Sequence, residues 1–184
     1  MHDQLPKIFC FIKDYNENYI KRLNKNIAII YRNYNKNLNK IEIKKIKKIC
    51  EKNKRKFYLA NNIKVALELD LDGVYIPSFN RELKHLNYPK KKNFIVLGSA
   101  HNIKEIRIKE MQKVDAIFIA SLFNEKKNFL GINKFLNLIK FTKKKIIALG
   151  GINDKNLNKL PLLNINGYAG ISFFAAKKNG PTIS

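Results

Sequence analysis

The chemistry legible in this chain rests on two glycine-bearing turns and a few polar residues. Ala148-Leu149-Gly150-Gly151-Ile152-Asn153 ends an apolar run in paired glycines, where backbone N–H groups can approach an anion with no Cβ in the way. Asn153 or Asp154 then stands ready to cap a following helix. Gly170-Ile171-Ser172 is a second such turn and adds a hydroxyl donor. Tight turning between elements is the other use of such glycines. Within Gly98-Ser99-Ala100-His101-Asn102, Ser99 can donate to a substrate oxygen and His101 can serve as a polar first-turn residue, although capping alone accounts for Ser99 or Asn102. Nucleophilic serine chemistry is not expected, since no nucleophile elbow occurs and spacing places no carboxylate to orient His101. Arg32 ends another apolar run, where a cationic fork suits a diphosphate or a heteroaromatic ring. Lys36 lies four residues on, with Tyr31 and Tyr34 nearby, and a solvated loop cation is the alternative for both.

Such groups need elements to bring them together. Short apolar, β-branched or aromatic runs recur at Ile8–Lys13, Ile27–Arg32, Lys56–Ala60, Gly73–Ile76, Phe94–Gly98, Ala116–Ala120, Lys145–Gly150 and Tyr168–Phe173. Their nearly continuous apolarity is expected of strands buried on both faces. The segments between them read as helices: Ile41, Ile43, Ile46 and Ile49 form an apolar face among lysines, and similar patterns cover Tyr19–Lys25, Val65–Leu71, Ile103–Lys113, Ile132–Phe141 and Asn156–Leu163. Helical segments recur between the eight strands, which predicts an α/β fold, a single compact (β/α)8 TIM barrel over residues 1–184; an open doubly wound sheet is the competitor. Gly180-Pro181 follows closely on the last strand, so the eighth outer helix is expected to be short or missing, leaving apolar surface that a homodimer would cover.

In such a barrel the site lies at the carboxyl ends of the strands, and phosphate sites recur after strands seven and eight. That places Gly150, Gly151, Gly170, Ile171 and Ser172 where a phosphate binds, with Asn61-Asn62, Pro77 to Asn80 and Ser121 to Lys127 around the same rim.

Composition narrows the function. At 184 residues and 45% hydrophobic, the chain can bury one sizeable core. The net charge of +23 raises nucleic acid as a partner. Lysine is nevertheless spread through the whole chain beside abundant Asn and Ile, three residue types with A/T-rich codons, and the tract Ile43 to Ile49 alternates charge with apolar positions as a solvated helix face does. Nucleic acid is therefore not the expected partner, while the charge would steer small anions inward. No run is long enough to span a bilayer, and the start lacks the pattern of a signal peptide, so a cytoplasmic location is expected. Cys10 and Cys50 are too few for a disulfide framework or a metal-ligand spacing.

Several stretches in order resemble the thiamine phosphate synthase and TenI family: Asn61-Asn62 with Asp72 to Ile76, Gly98 to His101, Asp115-Ala116 with Ser121 to Phe123, Leu130-Gly131, Ala148 to Ile152 and Gly170 to Ser172. The resemblance implies a transferase that joins hydroxymethylpyrimidine diphosphate to thiazole phosphate and releases diphosphate, with Mg²⁺ as cofactor. It implies that Arg32 contacts the pyrimidine or diphosphate and that Ser99 lies at the reacting centre. Asn61, Asn62, His101, Ser121, Lys126 and Lys127 would line the substrates, and Gly150, Gly151, Gly170, Ile171 and Ser172 would bind the thiazole phosphate. The chain departs from the family pattern where an aspartate is expected beside Asn61 and after strand four; Asn62 and Asn80 stand there, and as neutral amides they would be weak Mg²⁺ ligands. Phe123-Asn124-Glu125 replaces the usual turn after strand six, and Ser121 stands where a TenI tautomerase has its histidine. The implied alternative is a catalytically altered barrel that binds thiazole or thiamine phosphate without the synthase reaction.

Overall fold

The computed structural model describes residues 5–34, 38–123, 129–170 and 174. Eight parallel strands close into a barrel in chain order: β1 (Ile8–Ile12), β2 (Ile27–Tyr31), β3 (Phe57–Ala60), β4 (Gly73–Ile76), β5 (Ile95–Ala100), β6 (Ala116–Ile119), β7 (Lys145–Leu149) and β8 (Gly167–Gly170). The last pairs with the first, Ala169 opposite Phe9 and Gly170 opposite Cys10. The expected barrel is thus the observed one.

Helices α1 (Glu17–Arg22), α2 (Lys40–Lys52), α3 (Ile63–Glu68), α4 (Ile103–Met111) and α5 (Gly131–Ile139) cover its outside. Two connections carry 3-10 turns instead, Lys84–Asn87 after β4 and Leu157–Leu163 after β7. The second corrects the α-helix expected from Asn156, because Pro161 removes a donor inside it. Asn153 and Asp154 accordingly cap no α-helix; Asn153 Oδ1 instead accepts from the Lys155 N–H. In α2, Ile43, Ile46 and Ile49 are buried but Ile41 is 68% exposed, since residues two apart point to opposite sides of a helix. The surroundings of an eighth helix, Ala175 to Ser184, lie outside the described residues.

Strand alternation sorts the core into two layers. Ile29, Ile117 and Ile119 face the helices, while Phe9, Phe11, Ala28, Ile30, Tyr58, Tyr75, Leu97, Phe118 and Ile147 fill the barrel. The aromatic rings inside meet edge to face, Phe9 with Phe118 at 5.0 Å, Phe11 with Tyr75 at 5.2 Å and Tyr75 with Phe118 at 5.4 Å.

The same device pins register three times. Immediately before β4, β6 and β8, Asp72, Asp115 and Asn166 each accept a hydrogen bond from a backbone N–H at the start of the preceding strand: Phe57 at 2.9 Å, Val96 at 2.7 Å and Ile146 at 2.8 Å. A slip by one residue would turn the inner layer outward, so these latches decide which side chains reach the mouth.

Candidate active site

Inward parity carries Arg32 and Ser99 to the same inner wall. Arg32 continues the β1–β2 ladder one residue past β2, its N–H donating to Ile12 O at 2.8 Å, and its guanidinium carbon lies 5.0 Å from the Phe11 ring centre. Ser99 was expected in the loop after strand five. It lies inside β5, which extends to Ala100, and is buried opposite Phe118. Its hydroxyl meets that of Tyr75, and the positive charge of Arg32 acts on the same phenol. Burial pushes the Tyr75 phenol well above the usual tyrosine range, with the Ser99 hydrogen bond pulling the other way. Tyr75 therefore stays protonated at neutral pH. Sequence reasoning passed over it, although its place two residues after inward-facing Gly73 gives it the parity of the site.

The mouth above this wall is aromatic and basic. Tyr34 and Phe79, from the loops after β2 and β4, make an edge-to-face contact at 5.4 Å. Lys13, Asp14, Arg32, Asn33 and Tyr34 line a cleft of about 410 Å³ at the ends of β1 and β2.

After β7 the chain turns through Gly150 at φ 102° and Gly151 at φ 73°, a left-handed pair that glycine adopts without strain. Gly150 packs on Ser121, and the segments are joined by Leu122 N to Leu149 O at 3.0 Å and Phe123 N to Gly150 O at 2.9 Å. The Gly151 carbonyl accepts from the Asn156 side-chain amide at 2.9 Å, which fixes the orientation of that peptide. Gly170 is the buried last residue of β8. Lys36, Lys126, Lys127, Ile171 and Ser172 lie outside the described residues.

On the β3–β4 side the amides are already engaged. Asn80 Nδ2 donates to Asn61 Oδ1 at 2.7 Å, and Asn62 Oδ1 accepts from Val65 N at 3.0 Å as the cap of α3. Asn62 and Asn80, the candidate metal ligands, line one cavity of about 250 Å³ with Asn61, but the direct contact of Asn80 is with Asn61. No group of three or more His, Cys, Asp or Glu that could hold a metal occurs among the described residues. The amide pair is satisfied by itself, and the one carboxylate lining the same cavity, Glu82, is paired with Lys84 at 3.6 Å, so the described residues do not make the set of charged oxygen donors that suits Mg²⁺.

His101 is not without a carboxylate partner, which corrects the reading from spacing. Glu105 Oε2 accepts from the His101 backbone N–H at 2.7 Å and meets its Nδ1 at 2.9 Å, while Asn102 caps α4. The i,i+4 spacing was there to be read, and the pair folds back over the start of the helix. One further polar residue escaped the sequence reading: Lys109 of α4 is fully buried and reaches the loop after β4, its Nζ 2.8 Å from Pro77 O.

Comparison with known proteins accords with the fold. The family model described as thiamine monophosphate synthase matches residues 15–174. The thiamine-phosphate synthase of Pelagibacter ubique is 32% identical over 143 residues, covering 72% of this chain and 69% of its own. That of Persephonella marina is 29% identical over 139 residues, covering 72% and 66%. The chain thus spans about two thirds of the length of these relatives. Among solved structures, the thiamine phosphate pyrophosphorylase of Pyrococcus furiosus superposes with a TM-score of 0.72 at 21% identity, covering 91% of this chain and 86% of its own, a likeness of fold. With a matched span that takes in every strand from β2 to β8, this chain belongs to the thiamine monophosphate synthase family.

Proposed function

We propose that the chain is a transferase that joins hydroxymethylpyrimidine diphosphate to thiazole phosphate, giving thiamine phosphate and diphosphate. The observation that carries this reading is the meeting of Arg32, Tyr75 and Ser99 on one inner wall of a barrel whose rim also holds the left-handed Gly150-Gly151 turn. In the reaction the bond from the pyrimidine methylene carbon to the diphosphate oxygen breaks, and the oxygen keeps the electron pair. The thiazole nitrogen then gives its lone pair to the methylene carbon, forming the C–N bond.

Each residue has a role in that sequence. Arg32 binds the departing diphosphate, a planar cation matched to oxyanions. The Ser99–Tyr75 hydroxyl pair donates toward the reacting centre, and the Phe11 and Tyr75 rings exclude water that would quench the cation. Gly150, Gly151, Gly170, Ile171 and Ser172 hold the thiazole phosphate, with Ser121, Lys126 and Lys127 beside it. Asn61, Asn62 and His101 line the substrates, and Asn62 also caps α3. Magnesium is implied by the family pattern, but the residues present do not fit it, and no step here uses it. The setting we propose is the cytoplasm; no described helix is long and apolar enough to cross a membrane.

Purified protein is incubated with both precursors, with Mg²⁺ and separately with a chelator, and thiamine phosphate is followed by mass spectrometry. Product in both arms is expected. No product at high enzyme concentration in either arm would sink the proposal.

A further inference from the structure

We infer that Lys109 is a positioning residue for this site, an internal ammonium whose hydrogen bonds hold the loop after β4 in the shape that presents Phe79 and Asn80 at the barrel mouth. The inference rests on the proposed function only for its kinetic consequence.

Lys109 sits in the last turn of α4 with no exposed surface. Its Nζ donates three hydrogen bonds of 2.8 Å, to Pro77 O, Asn80 O and Gln112 Oε1. None of these partners is a carboxylate; Glu105, on the same helix, acts on the ammonium only through space. An apolar side chain would fill the same space at less cost, because burying an ammonium with no carboxylate bonded to it is expensive. What the lysine adds is directed donors, and two of the three end on carbonyls of one loop.

The surroundings are shaped to the same end. A Cβ on Gly98 of β5 would come within 2.8 Å of Lys109 Cδ, so the strand lacks a side chain where the lysine stem passes. Gln112, also fully buried, donates to Asn80 O at 3.0 Å and Glu82 O at 2.9 Å, and its own carbonyl meets His85 Nε2 at 2.8 Å. The Asn80 carbonyl is therefore held by both Lys109 and Gln112. With its carbonyl fixed, Asn80 extends its amide to Asn61 and the adjacent Phe79 ring meets Tyr34. Lys109 thus acts through Asn80, linking α4 to the rim formed by β2, β3 and β4.

The test is amide hydrogen exchange on the whole chain and on Lys109→Met, which keeps the stem and removes the donors. Asn80 N–H donates to Pro77 O and Glu82 N–H to Asn80 Oδ1. Exchange at both is expected to speed at least about tenfold in the variant, while the strand amides keep their protection. If Lys109→Met fails to fold, Gly98→Ala, which crowds the stem, gives the same reading. Loop exchange unchanged in whichever variant folds overturns the inference. If neither folds, Lys109 ammonium protons seen by NMR in slow exchange in the unaltered chain support it, and their fast exchange overturns it. None of these measurements needs turnover, so they are independent of the synthase assay. Where turnover is measurable, KM for the pyrimidine diphosphate is expected to rise about tenfold with kcat changed much less, a split that a purely structural residue would not produce.

Discussion

Gly150 and Ser121 are packed so closely that a Cβ on the glycine would lie 2.3 Å from the serine Oγ and 2.8 Å from its Cα. The turn that we assign to the thiazole phosphate is therefore shaped from two directions, by its own left-handed backbone and by the segment after β6. Gly150→Ala is expected to destabilise the chain by about 2 kcal/mol, since a non-glycine at φ 102° is strained as well as crowded. Thiazole phosphate binding, followed by calorimetry, should weaken at least about tenfold. Adding Ser121→Gly removes the crowding by the serine side chain, but the backbone at residue 121 stays as close and the left-handed strain remains, so only part of the loss should return. Full recovery in the double variant would refute this account of the turn.

Arg32 carries the heaviest electrostatic task we assign. Arg32→Ala is expected to lower kcat/KM by about a hundredfold, the scale of losing one aligned donor to a developing anion. Arg32→Lys keeps the charge without the planar fork, and a loss of about tenfold is expected. Parent-like kinetics in Arg32→Lys would show that charge alone matters, and equal loss in the two variants that charge without the fork contributes nothing.

Tyr75 and Ser99 should behave as a coupled pair. Tyr75→Phe and Ser99→Ala each remove one hydroxyl from a shared contact, so their effects on kcat/KM should not add. A double-mutant cycle is expected to give a coupling of about 1 kcal/mol, typical of residues in direct contact. Strict additivity would mean that the two hydroxyls act separately.

Introducing carboxylates where the two amides meet should create a metal dependence that the native amides do not support. In Asn61→Asp with Asn80→Asp, two acidic groups replace the 2.7 Å amide contact and repel each other unless a cation lies between them. The thermal midpoint of that variant should rise by a few degrees on adding Mg²⁺, as for any ligand that binds only the folded state. The parent chain should not respond.

The two thiols make stability sensitive to alkali. Burial pushes Cys10 up to about 11 and Cys50 up to about 12, from ordinary values near 9 in the unfolded chain. Because folding favours the protonated thiols, their contribution is complete below pH 9 and is lost as pH rises through 11 and 12. Urea unfolding at neutral and alkaline pH should show a decline worth about 3 kcal/mol for Cys10 and about 4 kcal/mol for Cys50 across the whole window. A Cys10→Ala, Cys50→Ala variant should lose that part of the slope. Neither thiol should react with iodoacetamide at pH 8 while the chain is folded.

The barrel was legible because its cause is local. Nearly unbroken apolar runs such as Ile27 to Tyr31 and Ala116 to Ile119 can be strands only if both faces are covered, and their alternation with amphipathic helices leaves few topologies. The Gly150-Gly151 turn was legible for a similar reason, since paired glycines at a strand end announce a backbone that other residues resist.

What could not be read depended on groups far apart in the chain. Nothing around residue 109 says that a lysine in a basic helix turns inward; the acceptors at Pro77 and Asn80 and the gap at Gly98 decide it. Likewise, the choice of Asn61 over Asn62 as the partner of Asn80 follows from the cap of α3, which takes the Asn62 oxygen first. The extension of β5 to Ala100, which draws Ser99 into the wall beside Tyr75, follows from pairing with β6. Residue types and their order alone thus determined the barrel, the family and the glycine turn after β7, because short-range patterning governs each. Only the closed tertiary structure decided which polar groups meet inside the mouth, because that depends on register and on buried donors finding acceptors across the barrel.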